Sequence, residues 1–154
     1  MTSSVKVIAA IDDSPVSATV LQRAASLVDN AAGELRVVMV IPPVVGHWAS
    51  LESRAFTTPT PVQTIENALA QDFRRRVSAR VREAGLSEEV IEVRYGRPEQ
   101  EILDCAADHE ADLIVVGGHG KGFLERLMIG STAEAVLHHA TCNVLLIAPR
   151  EGDT

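Results

Sequence analysis

The chain has 154 residues, of which 46% are hydrophobic, 23% charged and 3% aromatic, with a formal net charge of −7. That length suits one domain spanning 1–154 with an aliphatic core, and the balance excludes disordered and fibrous classes. The negative charge disfavours general binding to nucleic-acid phosphates, and no apolar stretch approaches the length of a bilayer crossing.

The opening MTSSVKVIAAIDDS lacks the long apolar core and small-residue cleavage site of a secretory signal. Cys105 and Cys142 lie far apart and form no Cys-x-x-Cys pair. The expectation is a cytoplasmic chain whose two cysteines are small buried hydrophobes.

Short β-branched runs alternate with helical patterns along the sequence. VKVIAAI ends at Ile11, LRVVMVI at Ile41, VIEVRY at Tyr95, DLIVVG at Gly117 and NVLLIA at Ala148. The first, second and fourth runs are apolar on both faces, as parallel strands covered by helices on each side must be. After the first run, Ser14 and Pro15 predict a helix start, with Ala18, Leu21, Ala25 and Val28 facing inward. Pro42 to Gln63 is irregular and rich in proline, serine and threonine, which marks a flexible loop insertion: either a surface insert or a lid. Ile65, Leu69, Phe73, Val77 and Val81 then recur every fourth residue until Gly85 stops the helix. Arg74, Arg75, Arg76, Arg80 and Arg82 cover the rest of that helix and read as a solvated face. From Pro98 a further helix turns Ile102, Leu103 and Ala106 inward. Ser131 opens the last helix, with Glu134 completing a capping box and Val136, Leu137 and Ala140 on the core side. Strand and helix alternating in this way predict an α/β fold with a parallel sheet, right-handed crossovers and helices on both faces.

The stretch VVGGHGKGFLERLMIGSTAE, from Val115 to Glu134, carries the densest chemistry. It begins where the fourth strand ends, and Asp12 sits just past the end of the first. Ligands of open α/β sheets bind beyond the carboxyl ends of the strands, so Asp12 and Gly117 face each other across a crevice if those strands are neighbours. Gly117 and Gly120 let bare backbone amides approach a ligand. Gly130 and Ser131 begin a helix whose first amides and dipole attract anions, and the hydroxyls of Ser131 and Thr132 add donors. Lys121 and Arg126 supply positive charge. The result is a phosphate cradle with no dedicated acid or base. It is not a P-loop, because Lys121 is followed by Gly122, nor a dinucleotide loop, because Phe123 stands where the third glycine belongs. Taken locally, the glycines also suit a tight strand-to-helix connection.

The spacing of Gly117, Gly120, Gly130 and Ser131, G-x2-G-x9-G-[ST], resembles the ATP-binding signature of the universal stress protein family. The resemblance extends over nearly the whole chain except Pro42 to Gln63: VIAAIDDSPVSATVLQRA, VVMVIPP, YGRPEQEILDCAADHEADLIVVGGHGKG and CNVLLIAPR all match family segments. It implies a three-layer α/β/α fold, Rossmann-like and of the adenine nucleotide alpha hydrolase type, with strand order 3-2-1-4-5. It implies that Asp12 and Val40 hold adenosine. It also implies that Val116, Gly117, Gly120, Gly130, Ser131 and Thr132 wrap the phosphates of ATP, with Mg2+ as the candidate counter-ion. A homodimer through the last strand, Asn143 to Ala148, is implied as well, and an apolar edge strand suits that role. Two positions depart from the usual pattern. Gly118 replaces a frequent serine or arginine, and Asp13 replaces a frequent glycine, which puts a second carboxylate near the pocket and weakens phosphate affinity unless a cation bridges.

Asp12 and Asp13 also imitate the paired acids of a response-regulator receiver, but the third strand ends RYGRP and the fifth IAPR, without the required aspartate and lysine. A flavodoxin would carry its phosphate loop after the first strand, where DDSPVS stands. His119 reads as a packing or hydrogen-bonding residue, and His138 and His139 complement the dipole at the end of the last helix. His47 and His109 show no constellation. The expected function is a nucleotide-binding stress-response regulator with no catalytic residue. The alternatives are a slow Mg2+-dependent ATPase and a nucleotide-independent interaction protein with an unused cradle. ATP, AMP and cyclic nucleotides share the adenosine contacts, so all three stand as candidate ligands.

Overall fold

The structure is a computed structural model that describes residues 4–42, 61–118 and 129–148. In chain order it runs β1 (Lys6–Ile11), α1 (Val16–Ala31), β2 (Glu34–Ile41), α2 (Pro61–Glu83) and a 3-10 turn (Glu88–Val90). It continues through β3 (Ile91–Tyr95), α3 (Pro98–Asp108), β4 (Leu113–Gly117), α4 (Ser131–His139) and β5 (Asn143–Ile147). The five strands pair in parallel in the order β3-β2-β1-β4-β5. The alternation of strands and helices leads one to expect the α/β/α arrangement, and the strand order is the one the family resemblance implies.

Side chains on a strand alternate between faces, and here both faces are roofed. Val7, Ala9 and Ile11 pack with Val37, Met39 and Val115 beneath Val20 and Leu21 of α1 and Val77 and Val81 of α2. Ile8, Ala10, Val38, Val40, Ile114 and Val116 point the other way, against Ile102, Cys105 and Ala106 of α3 and Ala133 and Val136 of α4. Continuous aliphatic runs therefore read as buried strands. Both cysteines are free, Cys105 fully buried and Cys142 half-buried.

Helix boundaries and faces differ from expectation in α1, α2 and α4. The buried stripe of α1 is Val16, Ser17, Val20, Leu21, Ala24 and Val28, while Ala18 is exposed and Ala25 half-buried. Small residues tolerate either environment, so the hydrophobic period alone leaves the rotation of such a helix loosely set. Pro15, not Ser14, sits at its N-cap, with no side-chain cap bond. In α2 only the C-terminal half is roofed: Val77 and Val81 are buried, but Ile65 is 60% and Leu69 54% exposed. At about 1.5 Å per residue this 23-residue helix outruns strands of five to eight residues. Its start at Pro61 makes the last part of the expected loop helical, and residues 43–60 lie outside the described residues. Gly85 ends α2 as expected, with φ +77 and paired bonds from Gly85 N to Arg82 O and from Leu86 N to Val81 O. At α4 the capping box does not form, because Gly130 is the N-cap without a side-chain bond, and Leu137 is 40% exposed.

Candidate functional site

Asp12 leaves the end of β1 and is fixed by the turn into α1. Its Oδ1 accepts from the Ser14 amide at 2.9 Å, from Ser17 Oγ at 3.0 Å, and from the Ser14 hydroxyl. Its own amide donates to Ser17 Oγ at 3.0 Å. Ser14 and Ser17 are 2% and 1% exposed, so Asp12 supplies the partners that two buried hydroxyls require. Ser14, expected to cap the helix, is committed to this carboxylate instead.

Asp13 meets α2. Arg76 Nη2 stands 3.5 Å from Asp13 Oδ2, and Arg80 Nη2 donates to the Asp13 carbonyl at 2.8 Å. Two of the arginines read as a solvated face thus brace the rim of the crevice, and they supply positive charge beside the carboxylate that departs from the expected pattern. Arg75 and Arg82 fit the solvated reading, paired with Asp72 and Glu88. The visible signal was the i, i+3, i+4 grouping of Phe73, Arg76, Val77 and Arg80 on one side of the helix.

The opposite wall comes from β4. Ala10 pairs with Val116, which places Asp12 level with Gly118 across the neighbouring strand ends. A Cβ on Gly117 would lie 2.6 Å from Val16 Cγ1, so this position is glycine because the start of α1 packs directly on it. Gly118 donates to the Ile147 carbonyl at 2.8 Å, and its own carbonyl accepts from Gly130 N at 2.6 Å. That second bond brings the chain back to the strand edge just before α4. The first-turn amides of α4 precede the helix's own hydrogen bonding and remain available to a ligand.

These groups open on one cavity of ≈ 410 Å³, within the usual range for small-molecule sites. Asp12, Val40, Val116, Gly117, Gly130, Ser131 and Thr132 all line it. Gly120, with His119, Lys121 and Arg126, lies outside the described residues. Val38, Phe73 and Ile102 also line the cavity; the sequence pattern marks Phe73 and Ile102 as core positions and gives none of the three a ligand role. The lining thus divides into an aliphatic floor, a fixed carboxylate on one wall and a helix N-terminus on the other. The donor set fits an adenine nucleotide, with apolar surface for a base, an acceptor for N–H or O–H groups and a positive helix end for phosphate.

A second polar group gathers at the amino end of β3, where His109 does have a constellation, contrary to the sequence reading. His109 Nε2 is 2.6 Å from Glu92 Oε2, and Arg94 binds both Glu92 and Asp108, the latter at 2.7 Å. Burial pushes the Glu92 carboxyl up, but the bonds to His109 and Arg94 outweigh it and hold the group below its ordinary range. Burial pushes the Cys105 thiol up to about 11. The signal in the sequence was Cys105 and His109, four residues apart and therefore on one helical face. Their partner on β3 is supplied by tertiary packing. At the end of α4, His139 Nδ1 lies 2.8 Å from the Ala135 carbonyl.

A family model described as the universal stress protein family matches residues 5–148. Universal stress protein A homolog 1 of Coxiella burnetii is 32% identical over 145 residues, 94% of this chain and 96% of that protein. A solved universal stress protein in complex with cAMP has a TM-score of 0.61 at 22% identity, covering 94% of this chain and 97% of the other. The universal stress protein of Archaeoglobus fulgidus in complex with dAMP has a TM-score of 0.55 at 22% identity, covering 96% and 99%.

Proposed function

This chain belongs to the universal stress protein family, and we propose that its crevice binds an adenine nucleotide, ATP foremost, through which the protein acts as a stress-response regulator. The observation that carries the reading is that a fixed carboxylate, an aliphatic floor and a helix N-terminus line a single cavity. Two proteins of the same fold were solved holding cAMP and dAMP, which supports the ligand class.

The base lies against Val40, Val38 and Ile102. Asp12, oriented by Ser14 and Ser17, accepts from the adenosine moiety. The phosphates lie against Val116 and Gly117 at the β4 edge and reach Gly130, Ser131 and Thr132 at the start of α4; Gly120 is a further phosphate contact on the strength of the glycine spacing alone. A bound Mg2+ would neutralise phosphate charge; Arg76 already stands against the Asp13 carboxylate. Asp12 is held by three hydrogen bonds through Oδ1, and Asp13 is paired with Arg76, so neither stands ready as a general base. That favours a binding role over turnover. Val144, Leu145 and Leu146 are half-buried on the edge strand β5, which suits a homodimer through Asn143 to Ala148 in the cytoplasm. No described helix is long and apolar enough to cross a membrane.

Calorimetric titration of nucleotide-stripped protein with ATP, AMP and cAMP tests the reading. Saturable binding that Ser131→Asp weakens is expected, because a carboxylate there repels phosphate while suiting the helix end. Absence of binding to all three ligands would overturn it.

A further inference from the structure

We infer that Glu92, Cys105 and His109 form a site for one divalent cation of the zinc class, independent of the crevice and at the other end of the strands. Among the described residues, theirs is the only set of three or more His, Cys, Asp or Glu donor atoms that all lie within 4.8 Å of one another. A thiolate, an imidazole and a carboxylate make a donor set for a borderline-soft cation such as Zn2+, and hard Mg2+ or Ca2+ would not choose sulfur. Around tetrahedral zinc with bonds of about 2.0–2.3 Å, donors sit about 3.5 Å apart, so small side-chain rotations complete the geometry.

The scaffold is rigid on both sides. Cys105 is fully buried in the core beneath α3, and His109 caps that helix one turn later, so their side chains share a face. Glu92 faces them from β3, registered to Val38 of β2. Arg94 occupies Glu92 Oε1, so the oxygen offered to an ion is Oε2, which now meets His109 and has Arg36 Nε at 3.9 Å. His109 also lines a second cavity of ≈ 410 Å³ with Arg36 and Asp108, giving solvent access for a water in the fourth position.

The surrounding charge suits the ion as well. Glu92, Glu101 and Asp108 gather around Arg94, and Arg36 Nε is 3.9 Å from Glu92. Three carboxylates against two guanidiniums leave one negative charge, and a dication with a bound thiolate restores neutrality. On binding, the Cys105 S–H bond breaks, an S–metal bond forms and the proton leaves to solvent. The hydrogen bond between Glu92 and His109 gives way to two metal bonds, with the imidazole proton carried on Nδ1. Because the thiol gives up its proton to bind, affinity rises with pH.

The test is titration of the chelator-treated full chain with Co2+, whose thiolate charge-transfer absorption reports sulfur ligation, followed by displacement with Zn2+. One equivalent is expected, with the band retained in Cys142→Ser and abolished in Cys105→Ser. His109→Gln, at a part-exposed position where folding is not at risk, should weaken affinity by at least about tenfold. A wild type without the band, a band that survives in Cys105→Ser, or affinity unchanged in His109→Gln would each overturn the site. The His109–Glu92 contact would then be a hydrogen-bonded strut between α3 and β3.

Discussion

Gly117 and Val16 approach so closely that a methyl on the glycine would stand 2.6 Å from Val16 Cγ1. Gly117 is therefore a packing position whatever ligand it also serves. Valine is stiff at χ1 and cannot swing aside. Gly117→Ala should destabilise the fold by about 1–3 kcal/mol, and by clearly less in a Val16→Ala background. Urea midpoints of the four proteins in this cycle measure the coupling. Equal cost in both backgrounds would contradict the contact.

The braces on Asp13 should separate in effect. Arg80 donates to a backbone carbonyl at 2.8 Å, so Arg80→Met is expected to cost about 1–2 kcal/mol in denaturant unfolding. Arg76 is half exposed and forms a looser pair, so Arg76→Met should cost less than about 1 kcal/mol. Affinity measured by titration should move the other way. Arg76→Met weakens ATP more than adenosine, because it removes a positive charge from beside the Asp13 carboxylate.

Glu92 makes stability depend on pH with a definite sign. Burial raises its pKa, the bonds from His109 and Arg94 lower it further than that, and the folded value lies below the ordinary 4.5. A depressed carboxyl contributes stability that is full above 4.5 and fades as pH falls through the folded value. Glu92→Gln should cost about 1–2 kcal/mol at neutral pH, and the difference from wild type should shrink below pH 4.5. Urea unfolding of both proteins across the acid range reads this directly.

The two halves of α2 should respond differently to truncation. Val77 is fully buried, so Val77→Ala is expected to cost about 2 kcal/mol. Leu69 is 54% exposed, and Leu69→Ala should stay within about 0.5 kcal/mol. Thermal or denaturant midpoints of the two variants test the exposure of that helix.

Strands were legible because burial on both faces leaves an uninterrupted aliphatic run, and β1, β2 and β4 show it plainly. Asp12 and the glycine spacing point to a crevice only once β1 and β4 are neighbours, an adjacency that the family resemblance implies and the strand order has. Helix rotation was not. In α1, alanine and serine accept either environment, and docking on the sheet decides which of them turns inward. Ser14 has the chemistry of a cap, but a carboxylate two residues earlier competes for its hydroxyl. Glu92 and His109 meet only because α3 folds back across the sheet, against β2 and β1, and ends beside β3, a contact that no local spacing encodes.

The central claim is that the crevice holds an adenine nucleotide, and thermal unfolding of stripped protein with and without Mg2+-ATP tests it most directly. Ser131→Asp is the control, since Ser131 is exposed and the change leaves the core intact. At a hundredfold excess over the dissociation constant, ATP should stabilise the wild type by about 2.7 kcal/mol, and the variant clearly less. Identical unfolding of the wild type with and without ATP would contradict the account and leave a folded interaction module with an unused cradle.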